Sequence, residues 1–266
     1  MLDNVIDFSG FPLEQQKQQA LGARRIGLGI TGLADSLIML GVRYGADESY
    51  ALAAKVMQVI CHTAYETSVE LARTKGVFPY FDKNDYLQGS FVKSLPEGIR
   101  KAIADRGIRN SHLLAIAPTG SISLLADNIS NGLEPVFDAQ YRRRLLTEDG
   151  VYKEYELVDY AVRLWRERQG IAPLPPDFVT VQQLSPMIQL KMQSAIQRYV
   201  DNAISKTIYV PQDTDFGSFQ SLYEKAFDLG LKGCTTFRPN PVTGSVLTAS
   251  QPGQKAHYCE ITRECD

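Results

Sequence analysis

The sequence has no apolar run approaching the roughly 20 residues needed to cross a bilayer. No charged start followed by a short apolar stretch marks a secretory leader. Basic charge is not in excess. The 28 Lys and Arg stand against 30 Asp and Glu, a formal net charge of −2. That balance gives no electrostatic attraction to DNA, RNA or an anionic membrane. Cysteine is scarce and scattered: four residues without framework spacing indicate a reducing compartment, not a disulfide scaffold. Neither an internal repeat nor a long low-complexity tract is present. A soluble cytoplasmic protein is therefore expected. With 266 residues, 44% of them hydrophobic, the chain can build one substantial core.

The most informative stretch runs from Asn110 to Glu134. A short apolar run, Leu113 to Ala117, breaks at Pro118. Small residues follow, namely Thr119, Gly120, Ser121 and Ser123, before apolar residues resume at Leu124 and Leu125. This order reads as a buried strand, a tight turn and the first turn of a helix. The first N–H groups of a helix lack internal partners and lie at the positive end of its dipole. Gly120 permits close backbone approach. Residues 118 to 123 (Pro118, Thr119, Gly120, Ser121, Ile122, Ser123) thus form a candidate phosphate site. No Lys or Arg lies inside the turn, so neutral donors would hold the anion. The alternative is an ordinary strand–helix turn with Thr or Ser as N-cap.

Pro12 to Ala23 reads as a helix with Pro12 at its first position. Gly27-Leu28-Gly29-Ile30-Thr31-Gly32 is a literal G-x-G-x-x-G, the pattern of a dinucleotide-binding turn. Only Ile26 precedes it as a β-branched residue, and Asp47 and Glu48 read as a helix start, not as a ribose-binding acid. The better reading is a glycine-rich strand packed closely on its neighbours and passing into a helix over Leu33 to Leu40. Asp47 to Lys75 forms the longest helical pattern, with Ala53, Met57, Ile60, Ala64 and Leu71 on one stripe. Cys61 and His62 point about 100° apart on that helix, so Cys61 is a small core residue and not half of a catalytic pair. The aromatic stretch Val77 to Tyr86 packs under a loop. Ser94 to Glu97 has capping-box spacing for a helix ending at Gly107.

In the later half, Glu134 is expected to pair with Arg143 or Arg144, within a basic run whose default is a solvated or ion-paired face. Tyr152 to Arg168 reads as an amphipathic helix carrying Val158, Val162 and Trp165. Ser185 and Pro186 open a helix reaching about Val200. Ile204 to Val210 is a β-type run with Lys206 as a strand-end cation. Asp215 to Leu229 is helical and Gly233 to Phe237 is a strand. Alternation of helix and strand predicts α/β packing with parallel strands.

Three segments carry a resemblance. APTGSISLLADNISNGLEPVF resembles the substrate-phosphate loop of ribonucleotide reductase large subunits. RRIGLGITGLADSLIMLG (Arg24 to Gly41) and LKGCTTFRPN (Leu231 to Asn240) resemble two further signatures of that family, in the same order. The similarity extends to about Val246 and is greatest to the adenosylcobalamin-dependent (class II) enzymes. It implies the C-terminal half of a ten-stranded α/β barrel with peripheral helices over residues 1–247, and a flexible tail over 248–266. It also implies a ribonucleotide substrate, di- or triphosphate, reduced by radical chemistry. The finger loop with its radical cysteine is not in this sequence, so an N-terminal half of the reductase is the expected partner. A thioredoxin-type reductant and a homodimer of the full enzyme complete the expected partners.

Where small-subunit-dependent relatives carry two adjacent tyrosines, this chain resembles them in register at Thr236 and Phe237. Neither side chain transfers a radical as a phenol does, which favours a radical made locally by adenosylcobalamin. Cys259 and Cys265 lie in the tail and resemble the mobile dithiol that re-reduces such enzymes by exchange. With His257 they offer only three soft ligands, too few for a complete zinc site. The competing functions are a non-catalytic nucleotide-binding or assembly half, and an NAD(P)-dependent oxidoreductase built on Gly27 to Gly32.

Overall fold

The structure is a computed structural model that describes residues 1–239 and 247–249. In chain order the helices are α1 (Leu2–Phe8), α2 (Glu14–Ala23), α3 (Leu33–Met39), α4 (Asp47–Lys75), α5 (Lys83–Gln88), α6 (Ser90–Ser94), α7 (Glu97–Arg106), α8 (Gly120–Leu125), α9 (Tyr160–Gln169), α10 (Pro186–Gln197) and α11 (Phe216–Asp228). The strands are β1 (Gln140–Leu146), β2 (Tyr152–Val158), β3 (Thr207–Tyr209), β4 (Thr235–Phe237) and β5 (Leu247–Ala249). The chain falls into two compact units. One comprises Met1–Gly29, Ala51–Ile116 and Ala195–Ile204. The other comprises Ile30–Tyr50, Ala117–Ser194 and the described residues from Ser205 onward.

In the first unit three extended segments run side by side. Leu28 bridges Leu114, and Ile116 bridges Ile204, both in parallel. The Leu28 amide donates to Leu113 O at 2.7 Å and the Ala115 amide to Leu28 O at 2.9 Å. Gly29 makes this approach possible, because a Cβ there would lie 2.2 Å from the Ala115 carbonyl oxygen. The glycine pattern therefore serves strand packing, as its sequence context indicates. The central segment is pinned by Asp201. Its carboxylate accepts the amides of Leu113 and Leu114 at 2.7 and 2.8 Å and the Tyr65 hydroxyl at 2.7 Å.

Helix α4 lays Ala53, Met57, Cys61 and Ala64 into the same core, confirming Cys61 as a packing residue at 1% exposure. Burial raises its thiol to about 12, which leaves no thiolate at neutral pH. His62 meets Tyr199 edge to face. The aromatics Phe78, Phe81 and Tyr86 pack mutually edge to face. Buried Arg24 holds α1 through Asp3 and Asp7, each at 2.8 Å. Lys75 and Arg109 also converge on Asp3, so its carboxyl is held well below the usual range.

Two local expectations are corrected. The capping box at Ser94 does not form: Ser94 closes α6, its hydroxyl donating to Phe91 O, and Pro96 is the N-cap of α7. The helix expected over Tyr152 to Arg168 is a strand followed by a shorter helix. β1 and β2 form an antiparallel hairpin in full register from Gln140↔Val158 to Leu146↔Tyr152. Asp149-Gly150, with Gly150 at φ 73°, turns it. Asp159 then caps α9 by accepting the Val162 amide.

The second unit contains this hairpin, extended by β5 antiparallel to β1, in the order β2-β1-β5. It also contains the parallel pair β3 and β4, joined through α11. That connection is the strand–helix–strand unit the sequence predicts. Its core packs Leu190, Ile208, Val210, Leu222 and Ala226. The protein is thus mixed α/β. Five strands and three isolated parallel bridges occur among the described residues, too few to trace a ten-stranded barrel.

Candidate functional site

A cavity of about 370 Å³ opens in the second unit, walled by the turn at Pro118 and Gly120, the loop from Asn128 to Phe137, and β1, β3 and β4. The turn enters α8 through Thr119, whose φ of 55° and ψ of 19° are left-handed. A β-branched residue adopts that conformation only under constraint from its surroundings.

The constraint is visible in the hydrogen bonds. Thr119 Oγ1 lies 2.9 Å from Thr31 Oγ1 and accepts the Gly132 amide at 2.8 Å. Thr31 Oγ1 in turn donates to Ser130 O at 3.0 Å. The Thr119 hydroxyl therefore ties three loops together and caps nothing. The Ser123 hydroxyl is likewise internal, bonded to Gly120 O and Asn131 Oδ1. Ser121 and Ile122 are exposed, and among the predicted six only Pro118 and Gly120 line the cavity. The helical start leaves the amides of Gly120, Ser121 and Ile122 without intrahelical partners.

The loop opposite is held with similar economy of contacts. Ser130 Oγ accepts the Ala34 amide at 3.2 Å, and the Ser130 amide donates to Asp35 Oδ2 at 2.6 Å. Asp35 Oδ1 accepts the Ala161 amide at 3.0 Å. Asn128, left-handed at φ 60°, accepts the Tyr141 hydroxyl at 2.9 Å and donates to Val158 O at 3.0 Å.

The cation that Glu134 takes lies outside the arginine run. The Glu134 carboxylate takes Lys206 Nζ at 2.8 Å and the Thr207 amide at 2.9 Å. Lys206 is 2% exposed, so an unpaired ammonium there would be prohibitive, and the nearest carboxylate is drawn to it. Burial lowers the Lys206 pKa while Glu134 opposes the shift. Asp159, in the cavity wall, is pushed up to about 8 by burial and by the neighbouring Asp35 carboxyl. Sequence spacing gave no sign of this carboxyl pair, because its members stand 124 positions apart and meet only once α3 packs on α9. Phe237 and Tyr209 form another wall, ring centroids 6.1 Å apart. Thr236 instead shares a hydrogen bond with Tyr223. Cys259 and Cys265 lie outside the described residues.

Fold and cavity together define an α/β protein in which a turn into a short helix, its first amides without intrahelical partners, stands in the wall of a pocket. Residues 1–237 match the family model described as ribonucleotide reductase, barrel domain, and the chain belongs to that family. A vitamin B12-dependent ribonucleoside-diphosphate reductase of Mycobacterium tuberculosis is 32% identical over 94% of this chain and 36% of its own length. The protein of the same name from Thermoplasma acidophilum is 34% identical over 93% of this chain and 32% of its own. A ribonucleoside-diphosphate reductase large subunit of Danio rerio is 27% identical over 99% and 35%. The chain thus spans about a third of the length of these curated relatives.

Proposed function

We propose that this chain forms part of a ribonucleotide reductase catalytic subunit and that its cavity seats the phosphates of a ribonucleoside diphosphate. The complete enzyme replaces the ribose 2′-hydroxyl by hydrogen, using a thiyl radical supplied from an N-terminal half. The observation that carries the reading is the turn at Pro118 to Ser123. Its sequence resembles the family's phosphate loop, its first amides have no intrahelical partner, and it stands in the wall of a cavity. On this reading residues 1–247 supply half of a ten-stranded barrel wall, and residues 248–266 a tail bearing Cys259 and Cys265 as a dithiol relay to a thioredoxin-type reductant. The complete enzyme is a cytoplasmic homodimer. In support of a non-membrane location, no described helix is long and apolar enough to cross a bilayer.

Adenosylcobalamin fits the residues of β4. Phe237 and Thr236 cannot relay a radical as a pair of phenols would, and identity is higher to the vitamin B12-dependent relatives than to the Danio rerio large subunit. When bound, that cofactor supplies the initiating radical. The residues here act on the other partner: Gly120 and its neighbouring amides donate to the phosphate oxygens, and Phe237, Tyr209 and Val136 form an apolar wall that limits water.

The test is deoxynucleotide formation by the complete native protein with a ribonucleoside diphosphate, a dithiol and adenosylcobalamin. Product that depends on the cofactor is expected. Diphosphate binding without turnover would instead favour the non-catalytic nucleotide-binding half.

A further inference from the structure

The hairpin of the second unit separates its three consecutive arginines. Register places Arg142 opposite Glu156 and Arg144 opposite Glu154, whereas Arg143 falls opposite Tyr155. Successive strand residues point to opposite faces, so the middle arginine leaves the face on which its neighbours have acids across from them. It enters the cavity wall. Its Nε is shielded from solvent and has no hydrogen-bond partner among the described residues. A buried guanidinium nitrogen without an acceptor is unfavourable, and native structures rarely leave one without a reason.

The cavity offers no acid to satisfy it. Glu134 is already committed to Lys206 and the Thr207 amide. Asp159 retains its proton until about pH 8. Among the described residues Arg143 is therefore the charged lining residue with no ion-pair partner. Its Nη2 stands 3.8 Å from the position a Cβ would take on Gly120.

We propose that Arg143 is the cationic arm of the phosphate site, its guanidinium donating to the non-bridging oxygens of a nucleoside diphosphate seated against Gly120. This assignment rests on the phosphate-loop reading above and adds to it a residue from a different element. The turn supplies neutral amide donors. The hairpin supplies the charge-assisted, planar fork suited to phosphate.

The test compares binding of cytidine diphosphate and cytidine to the complete native protein by calorimetry, with R143Q and R143K. Arg143→Gln should weaken diphosphate binding about 10- to 100-fold and leave cytidine unchanged. Arg143→Lys should fall between, because it restores charge without the fork. If R143Q keeps the full preference of the wild type for diphosphate, the proposal is wrong while the loop reading stands. If the wild type itself shows no such preference, both fall. Equal loss for diphosphate and nucleoside would assign Arg143 a purely structural role and overturn the proposal.

Discussion

Asp159 shares a desolvated place with the Asp35 carboxyl, and it keeps a proton where an isolated aspartate would not. An aspartate in the unfolded chain titrates near 3.9, whereas Asp159 is pushed up to about 8. Between those values the native state binds more protons than the unfolded state. Stability therefore falls as pH rises from about 4 to about 8, by at most about 1.4 kcal/mol per unit, and levels off above. Asp159→Asn should flatten that slope while keeping the helix cap, since Asn caps as well as Asp. Urea denaturation at about pH 5 and about pH 8 measures it, and a wild-type profile flat across that range would refute the retained proton on Asp159. Lys206 gives a second case. Glu134→Gln strands a buried ammonium and should cost about 3 kcal/mol, with Lys206→Met in the same chain recovering part of the loss. Neither pair was legible in the sequence. Glu134 had three arginines within ten positions, and only the fold shows that a cation 72 positions away is the one with no water to turn to.

At the scale of elements, the parallel alternation of β3, α11 and β4 was readable because each segment carried its own period and Asp215 its cap. The hairpin was not. Val158, Val162 and Trp165 fall at helical spacing, so strand β2 and helix α9 merged into one apparent amphipathic helix. The Asp149-Gly150 turn and Asp159 as a cap marked the true boundaries. The misreading mattered, since it hid the alternation that turns Arg143 away from its neighbours. The glycine motif was better understood. Gly29→Ala would drive a methyl into the Ala115 carbonyl at 2.2 Å, whereas at Gly27 the nearest atom is the Ala115 Cβ at 3.1 Å. Overpacking of this kind costs about 1–3 kcal/mol. Thermal melting should therefore fall clearly for Gly29→Ala and less for Gly27→Ala. Equal melting of the two would show that strand approach does not depend on Gly29.

For the whole molecule, the dithiol proposal for Cys259 and Cys265 makes a kinetic demand on the complete enzyme. Replacing both with Ser should leave turnover with a small dithiol largely intact and remove turnover supported by a thioredoxin-type protein. Comparable loss with both reductants would exclude a relay. The family was legible from three motifs in register, because such motifs carry backbone and ligand demands that single residues do not. The charge state of the cavity was not, because it depends on which acids the fold has already neutralised.

The junction of Thr119, Thr31 and Gly132 has one more consequence. A threonine locked in a left-handed turn by two neighbouring loops is fixed by the protein's own hydrogen bonds. On the phosphate-loop reading proposed above, a nucleotide meets a finished mould there, so little chain entropy remains to be surrendered on binding. Recognition at this bend is thus a matter of fit achieved during folding.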